Sequence, residues 1–244
     1  MAACAARLAL LAGVSGCAAM SAGNPADPLE KANRVTFRVN ETLDRSIAIP
    51  VAKAYNAVVP GPVRTMVTNF FSNIGDVNVM LNNFAQGRGV DGFSDLMRVL
   101  MNSTFGIVGL NDIATPAGLP KHDQDFGLTL GHWGLPTGPY VVLPLFGPST
   151  VRDTAGFVVD LNVTPTQCLA TDERNALFGV NFVSTRARYL GATELLSAAA
   201  LDKYSFVRDA YLGRRRYQLN GGTDQALPNY DDDPGDAGRL PEER

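Results

Sequence analysis

The sequence predicts a mainly α-helical, single-domain protein with one irregular stretch rich in glycine and proline. Apolar residues recur every three or four positions in several long segments, which is the period of an amphipathic helix. Residues 126–151 carry no Asp, Glu, Lys or Arg, and nine of the 22 residues from 127 to 148 are Gly or Pro. Because each proline removes a backbone donor, one regular helix through this stretch is excluded. The stretch is therefore either the core of a soluble domain or the lining of a passage inside a membrane-seated protein.

Composition and charge narrow the class of protein. The 244 residues are 45% apolar, enough for a sizeable core, but the mean hydropathy is close to zero, too low for a bundle of spanning helices. The formal net charge of −3 is unevenly distributed, since residues 223–244 hold seven acids and two arginines. Residues 17–222 hold 18 bases and 17 acids. A balanced body with an acidic tail argues against nucleic-acid binding.

The amino terminus has the pattern of a bacterial lipoprotein signal. An apolar run follows Arg7, and small residues precede Cys17 as they do in a lipobox. We expect cleavage before Cys17 and attachment of lipid to its thiol, the alternative being a plain signal peptide. The predicted segments are a signal peptide (1–16), a lipidated tether (17–27), a helical domain (28–222) and a disordered acidic tail (223–244).

The first predicted helix begins after Pro28 and ends at Pro50. Its two faces differ in character, because apolar residues recur every four positions on one side and charged residues lie on the other. The charged face is either solvated or a basic row beside lipid phosphates. The apolar positions are Val35, Val39, Leu43 and Ile47, and the charged ones are Arg34, Arg38, Glu41 and Arg45.

Residues 63–86 have the clearest helical period, and Gly75 is expected to divide them into two helices. Asparagines lie between the apolar positions, although asparagine is a mediocre helix former. They either hydrogen-bond neighbouring backbone groups or form the polar, uncharged wall of a channel. These asparagines are Asn69, Asn73, Asn78, Asn82 and Asn83.

Another amphipathic helix is predicted from Phe93 to Phe105, and it either packs in a core or lies in a leaflet. In the uncharged stretch that follows, several glycines permit unusual backbone conformations, and aromatic rings are of the type that settles at membrane interfaces. We interpret this stretch as a mobile loop or hairpin that narrows a passage, with a short extended segment from Tyr140. The predicted channel-loop residues are Gly131, His132, Gly134, Gly138 and Tyr140.

The remaining helices are predicted from their caps and stop signals. Thr150 caps a helix that includes Phe157, a long helix runs from residue 171 or 172 to about residue 200, and a last helix covers residues 204–219. The last helix ends with three arginines, residues 214–216, which complement the helix dipole. They are either solvated or in contact with a membrane surface or partner.

The sequence does not favour an enzyme. Proline directly precedes Ser149, so the Gly-x-Ser-x-Gly pattern of a nucleophile is missing, and there is no phosphate-binding loop or dinucleotide fingerprint. His122 and His132 are the only histidines. Structural zinc needs four convergent ligands, so we expect no metal site, no cofactor and no catalysis.

The motifs of the chain resemble the MlaA/VacJ family of outer-membrane lipoproteins. The central match is TLGHWGLPTGPYVVLPLFGPSTVRD at residues 129–153. Four further segments fit in the same order: DPLEKANR (27–34), VVPGPVR (58–64), NFFSNIGDVNVMLNNFAQG (69–87) and TRA…VRDAYLGRR (185–215). The resemblance covers about residues 27–222, and the combination of segments is specific although each alone is weak.

This resemblance implies a monotopic ring of amphipathic helices, anchored through Cys17 in the inner leaflet of the bacterial outer membrane, facing the periplasm beside a trimeric porin. It implies removal of misplaced phospholipids from the outer leaflet, through a central channel to a periplasmic lipid carrier, which maintains lipid asymmetry. The alternative is a passive envelope scaffold that binds porins without passing lipid. The expected lipid-passage residues are Asn33, Arg34, Phe37, Asn40, Asn69, Asn73 and Asn82.

Overall fold

The computed structural model describes residues 27–221, apart from the side chains of residues 195–199. The predicted signal peptide, Cys17 and the acidic tail lie outside these residues. The mainly α-helical prediction is confirmed, and no helix in the described range is long and apolar enough to cross a membrane. The helices are α1 (Glu30–Leu43), α2 (Ile49–Val58), α3 (Gly61–Ala85), α4 (Gly89–Thr104), α5 (Phe126–His132), α6 (Val151–Val163), α7 (Thr171–Arg188), α8 (Leu190–Ala199) and α9 (Lys203–Leu219).

Pro50 does not end the first helical segment, contrary to the prediction. One π-helical turn, Asp44–Ala48, joins α1 directly to α2, and the backbone N–H of Ile49 bonds to the carbonyl of Asp44. Pro50 therefore lies in the first turn of α2, where its missing N–H breaks no α-helical hydrogen bond. The wide turn absorbs the proline that would otherwise have broken the helix.

Gly75 does not divide the following segment either, because α3 is one continuous helix of 25 residues. Glycine costs about 1 kcal/mol inside a helix, and the rest of α3 outweighs that cost. The chain then reverses at Gly87, whose φ of +75° suits glycine. This turn folds α4 back against α3 along most of its length.

The uncharged stretch contains more regular structure than the loop or hairpin that was predicted for it. Its first seven residues form α5, capped by the Asp125 carboxylate, which accepts from the N–H of Leu128 at 2.8 Å. The extended segment at Tyr140 is confirmed as β1 (Tyr140–Leu143), which pairs antiparallel with β2 (Gly147–Thr150). Thr150 then caps α6, as predicted, by accepting from the N–H of Asp153.

The long helix predicted from residue 171 to about residue 200 is two helices, since α7 ends at Arg188 and α8 begins at Leu190. Tyr189, which lies between them, does not have α-helical backbone angles, since its φ is −93° and its ψ is 7°. The last helix, α9, is confirmed almost to the residue, and the Asp202 carboxylate caps it by accepting from the N–H of Tyr204.

The distribution of polar and apolar side chains is inverted relative to a soluble protein. Among the described residues, 17 polar or charged residues are buried but only 8 hydrophobic ones, four of which are alanines. Large apolar side chains instead cover outer faces of α1, α4 and α7, where soluble proteins place polar residues. Examples are Val35 and Val39 on α1, Ile47 in the π-helical turn that follows it, Phe93, Met97 and Leu100 on α4, and Phe178, Val180 and Phe182 on α7.

Candidate functional site

A polar cavity of about 610 Å³ lies between α3, the segment before α5 and the second half of α7. We call it the acidic cavity, because four aspartates line it against one lysine and one arginine. Its walls also carry amide and hydroxyl groups. The lining includes Thr68, Ser72, Asp76, Asn78, Lys121, His122, Asp123, Asp125, Asp160, Asn181, Ser184, Thr185 and Arg188.

A second polar cavity, of about 530 Å³, adjoins the first. The two cavities have three lining residues in common, Thr68, Ser184 and Arg188. We call it the basic cavity, because its lining contains two arginines and no carboxylate. It is lined by Tyr55, Asn56, Gly61, Arg64, Thr65, Thr68, Ser184, Ala187 and Arg188.

Most carboxylates of the acidic cavity are paired with cations. Asp76 bonds to Lys121 and lies 3.5 Å from the guanidinium of Arg98, which is itself buried behind the wall. Asp123 pairs with Arg214 at 2.5 Å, on the outer surface. These pairs hold the segment before α5 against α3 and α9.

Asp160 is the exception in this cavity, since no ion pair joins it to another described residue. Its carboxylate accepts from the backbone N–H of Phe126 at 2.8 Å and from the amide of Asn82 at 3.1 Å. Burial raises the pKa of Asp160, and the nearby charge of Asp125 acts in the same direction. The cavity thus presents an oriented carboxylate with no cation at ion-pair distance among the described residues, although the charge of Arg215 is near enough to oppose the rise in its pKa.

The arginines of the basic cavity also lack counter-ions among the described residues. Asn56 joins α2 to the end of α7, donating to the carbonyl of Ala187 at 3.3 Å and accepting from Nη1 of Arg64 at 2.6 Å. Nε of Arg64 and the hydroxyl of Tyr55 are buried and have no hydrogen-bond partner in the part of the chain that the structure describes. The guanidinium of Arg188 lies 5.2 Å from the ring centre of Tyr189 and makes no ion pair to the described residues.

A third, apolar cavity of about 420 Å³ lies between α1, the tip of the β-hairpin and α7. Phe37, Ile47, Phe146 and Phe182 are among its apolar lining. Ion pairs between Lys203 and Glu41 and between Arg186 and Asp44 lie at its rim.

A buried ionic cluster joins α5, α6 and α9 beside the acidic cavity. Arg215 bonds to Asp125 at 2.5 Å and to Asp153 at 2.9 Å, and Asp153 also bonds to Arg152 at 2.8 Å. Burial alone would raise the pKa of Asp153, but the hydrogen bond and charge of Arg215 outweigh it, with Tyr211 and Arg152 adding to them, so this pKa is lowered. Neither reading of the three terminal arginines anticipated that Arg215 is buried.

The asparagines predicted to line a lipid passage serve mainly as structural hydrogen-bonding groups. Asn73 donates to Ser103 at 2.9 Å, Asn69 to the carbonyl of Leu110 at 3.2 Å, and Asn82 to Asp160. None of these three lines the acidic or the basic cavity. A role of these residues in a lipid passage therefore stays a prediction, and their contacts fit the alternative interpretation, in which the amides hydrogen-bond neighbouring groups.

Asn33 and Asn40 on α1 dock the β-hairpin. Asn33 donates to the carbonyl of Tyr140 and accepts from the N–H of Val142, both at 2.9 Å. Asn40 repeats the pattern seven residues later with the carbonyl of Leu143 and the N–H of Leu145. The two amides thus extend the hydrogen bonding of β1 to a helix.

The other two predicted passage residues also lie away from the polar cavities. Arg34 pairs with Glu30 and with Asp202 at 2.7 Å each, which links α1 to the start of α9. Phe37 packs edge-on against Tyr204, with ring centroids 5.7 Å apart, and lines the apolar cavity.

The five predicted channel-loop residues do not form one loop and line none of the three cavities. Gly131 and His132 belong to α5, and Tyr140 is buried in β1, where burial raises its pKa to about 12. A Cβ at Gly131 would lie 2.6 Å from Leu219. The connection that does remain irregular contains Gly134 and Gly138, both with positive φ.

The two histidines are separated in the structure. Nδ1 of His122 lies 2.8 Å from a carboxylate oxygen of Asp95 and Nε2 lies 3.7 Å from Asp91, so the ring is positioned by α4. His132 is exposed at the end of α5. In the described part of the chain, no group of three or more potential ligands could hold a metal ion.

Exposed apolar helix faces such as those of α1, α4 and α7 are typical of helices that lie at a membrane surface. The chain belongs to the MlaA lipoprotein family, whose family model matches residues 25–218. This confirms the resemblance found in the sequence.

Similar proteins cover most of the chain. The intermembrane phospholipid transport system lipoproteins MlaA of Shigella flexneri and Escherichia coli (strain K12) are each 36% identical to it over 201 residues, 80% of this chain and 79% of either relative. The protein of the same name from Haemophilus influenzae is 31% identical. A solved structure concerning the structural basis for maintenance of bacterial outer membrane lipid asymmetry has a TM-score of 0.71 and 36% identity, covering 80% of this chain and 99% of that chain.

Proposed function

We propose that the chain is an outer-membrane lipoprotein of an intermembrane phospholipid transport system, which removes mislocalised phospholipids from the outer leaflet and thereby maintains lipid asymmetry. The observation that carries this proposal is the pair of adjoining polar cavities inside a body with exposed apolar helix faces. The names of the relatives, which are lipoproteins of such a system, support it.

The physical task is to move a charged headgroup past hydrocarbon. Desolvating a charge in an apolar medium costs many kcal/mol, and a wall of hydroxyls, amides and charges lowers that cost. The apolar outer faces meanwhile stay in contact with acyl chains. No covalent step or nucleotide is needed, so we propose a conduit and not an enzyme.

The proposal includes the surroundings of the conduit. Lipid on Cys17 would hold the protein in the inner leaflet of the outer membrane, because acyl chains contribute about 0.8 kcal/mol per buried methylene. A trimeric porin would lie beside it, and a periplasmic lipid-carrier protein would receive the phospholipid.

The test narrows the junction between the two cavities. Thr68 lies in both walls and is half-buried on α3, so Thr68→Phe would obstruct the junction. Thr171→Phe is the matched control, since Thr171 is exposed at the start of α7 and lines none of the three cavities. Each variant is expressed in a strain that lacks the gene, and phospholipid in the outer leaflet is measured by surface labelling.

We expect Thr171→Phe to restore low surface phospholipid and Thr68→Phe to leave it high at equal protein abundance. Ser184→Phe, in the facing wall, provides a second obstruction. Full rescue by both obstructed variants would contradict the conduit and favour a passive scaffold that binds porins without passing lipid.

A further inference from the structure

Three charged side chains of the adjoining polar cavities stand apart from the paired charges around them. Arg64 and Arg188 line the basic cavity, Arg188 also lines the acidic cavity, and Asp160 lines the acidic cavity alone. None of the three makes an ion pair with another described residue. Arg64 and Asp160 are partly buried, whereas Arg188 is exposed. An unpaired charge that is partly withdrawn from water is unfavourable, so Arg64 and Asp160 in these cavity walls call for a partner outside the chain.

The basic cavity has the donors that a phosphate needs. The Arg64 guanidinium is held by Asn56, which leaves its Nε buried and without a partner. The hydroxyl of Tyr55, in the same wall, is also buried without a partner. Arginine is well suited to bind phosphate oxygens through its planar array of donors, and no carboxylate in this lining repels an anion.

The acidic cavity has the acceptor that an ammonium needs. Two hydrogen bonds, from Phe126 and Asn82, fix the orientation of the Asp160 carboxylate. Asp76 and Asp125 in the same wall already form ion pairs, with Lys121 and Arg215. A cation that enters the cavity therefore finds Asp160 available.

We propose that the two adjoining cavities bind a zwitterionic aminoalkyl phosphodiester headgroup, with its phosphate on Arg64 and Arg188 and its primary ammonium on Asp160. Arg188 belongs to both walls, so a phosphate held at the junction leaves the amine free to reach the acidic cavity. This inference rests on the proposed function and names its preferred cargo. That cargo is a phosphatidylethanolamine-type lipid, and a phosphatidylglycerol-type lipid lacks the ammonium.

Soluble headgroups test the site without acyl chains. The full chain in nanodiscs is titrated calorimetrically with glycerophosphoethanolamine, glycerophosphoglycerol and inorganic phosphate. We expect the ethanolamine compound to bind about tenfold more tightly than the other two, because hydrogen bonds to charged groups contribute that much or more. Asp160→Asn should abolish the difference, whereas Arg64→Gln should weaken all three ligands alike. Equal binding of inorganic phosphate and the ethanolamine compound would show an anion site and overturn the proposal.

Vesicles test the lipids themselves. Transfer of phosphatidylethanolamine and of phosphatidylglycerol from labelled donor vesicles is compared for wild type and variants. Asp160→Asn should lower the preference for the ethanolamine lipid about tenfold, and Arg188→Gln should slow both lipids. Asp172→Asn and Arg216→Gln are the controls, because both residues are exposed and line none of the three cavities.

The outcomes separate this inference from the proposed function. If the wild type transfers neither lipid, the proposed function fails. If it transfers both lipids equally, or if a folded Asp160→Asn variant keeps the preference, the inference fails while the function stands. Asp160→Glu retains the negative charge, so this variant should still prefer the ethanolamine lipid. That result would show that Asp160→Asn loses the preference because it loses the charge.

Discussion

Replacing Asp153 by Asn tests whether the buried ionic cluster holds α5, α6 and α9 together. The Asp153 and Arg152 side chains are only 5% and 2% exposed, and Arg215 is 9% exposed. Arg215 keeps Asp125 in the variant, but Arg152 loses the one carboxylate with which it pairs among the described residues. Removing one partner of a buried pair costs about 3–5 kcal/mol. At about 2–4 °C per kcal/mol for a chain of this size, the unfolding midpoint should fall by roughly 6–20 °C.

Asp123→Asn is the matched control, because it breaks a pair of the same chemistry on the surface. Asp123 and Arg214 are each 67% exposed, and exposed pairs contribute about 0–1 kcal/mol. Both variants are unfolded thermally in the same detergent and followed by circular dichroism. Equal shifts for the two variants, or a shift of less than about 2 °C for Asp153→Asn, would refute the view that burial makes this cluster important.

Three further outcomes are expected. Because the pKa of Asp153 is lowered in the folded protein, its stabilising contribution is complete above about pH 4 and is lost as the pH falls further. The unfolding midpoint of Asp153→Asn should therefore fall less steeply on acidification than that of the wild type. The raised pKa of Asp160 has the opposite sign, so Asp160→Asn should gain stability relative to wild type as the pH rises from about 4 to neutral, measured by the same unfolding scans. Gly156→Ala should destabilise by about 1–3 kcal/mol, because a Cβ there would lie 2.2 Å from the backbone nitrogen of Gly127; Gly179→Ala, with nothing within 4 Å, should be neutral or stabilising in chemical unfolding.

The helices were largely predictable because their signals are local. The apolar period and the caps at Thr150 and Asp202 are visible in a few neighbouring residues. The failures occurred where a local breaker was overridden. Pro50 was accommodated by a π-helical turn placed just before it, and Gly75 by the length of α3. Neither compensation has a signature that single residues reveal.

The candidate site was much less predictable, because its contacts join residues far apart in the chain. Arg215 and Asp153 are separated by 62 positions, and Asn33 reaches a carbonyl 107 positions away. The asparagine period on α3 left two interpretations open, hydrogen bonds to neighbouring groups or a channel wall, and only the fold shows that several of these amides bond to the chain. The sequence likewise cannot show that Arg188 and Asp160 have no ion-pair partner among the described residues, because other arginines and aspartates of this protein do form ion pairs.

The unpaired charges also bear on why the polar cavities stay open. In a soluble protein, apolar side chains would gain free energy by filling such a space. Here the apolar faces already meet hydrocarbon in the proposed setting, so turning inward gains them little. Closing the cavities would instead bury Arg64, Arg188 and Asp160 in a dry interior, at a cost of several kcal/mol for each ion. The same three charges that would recognise a headgroup therefore oppose collapse of the space that the headgroup needs, and neutralising all three should make that space easier to close.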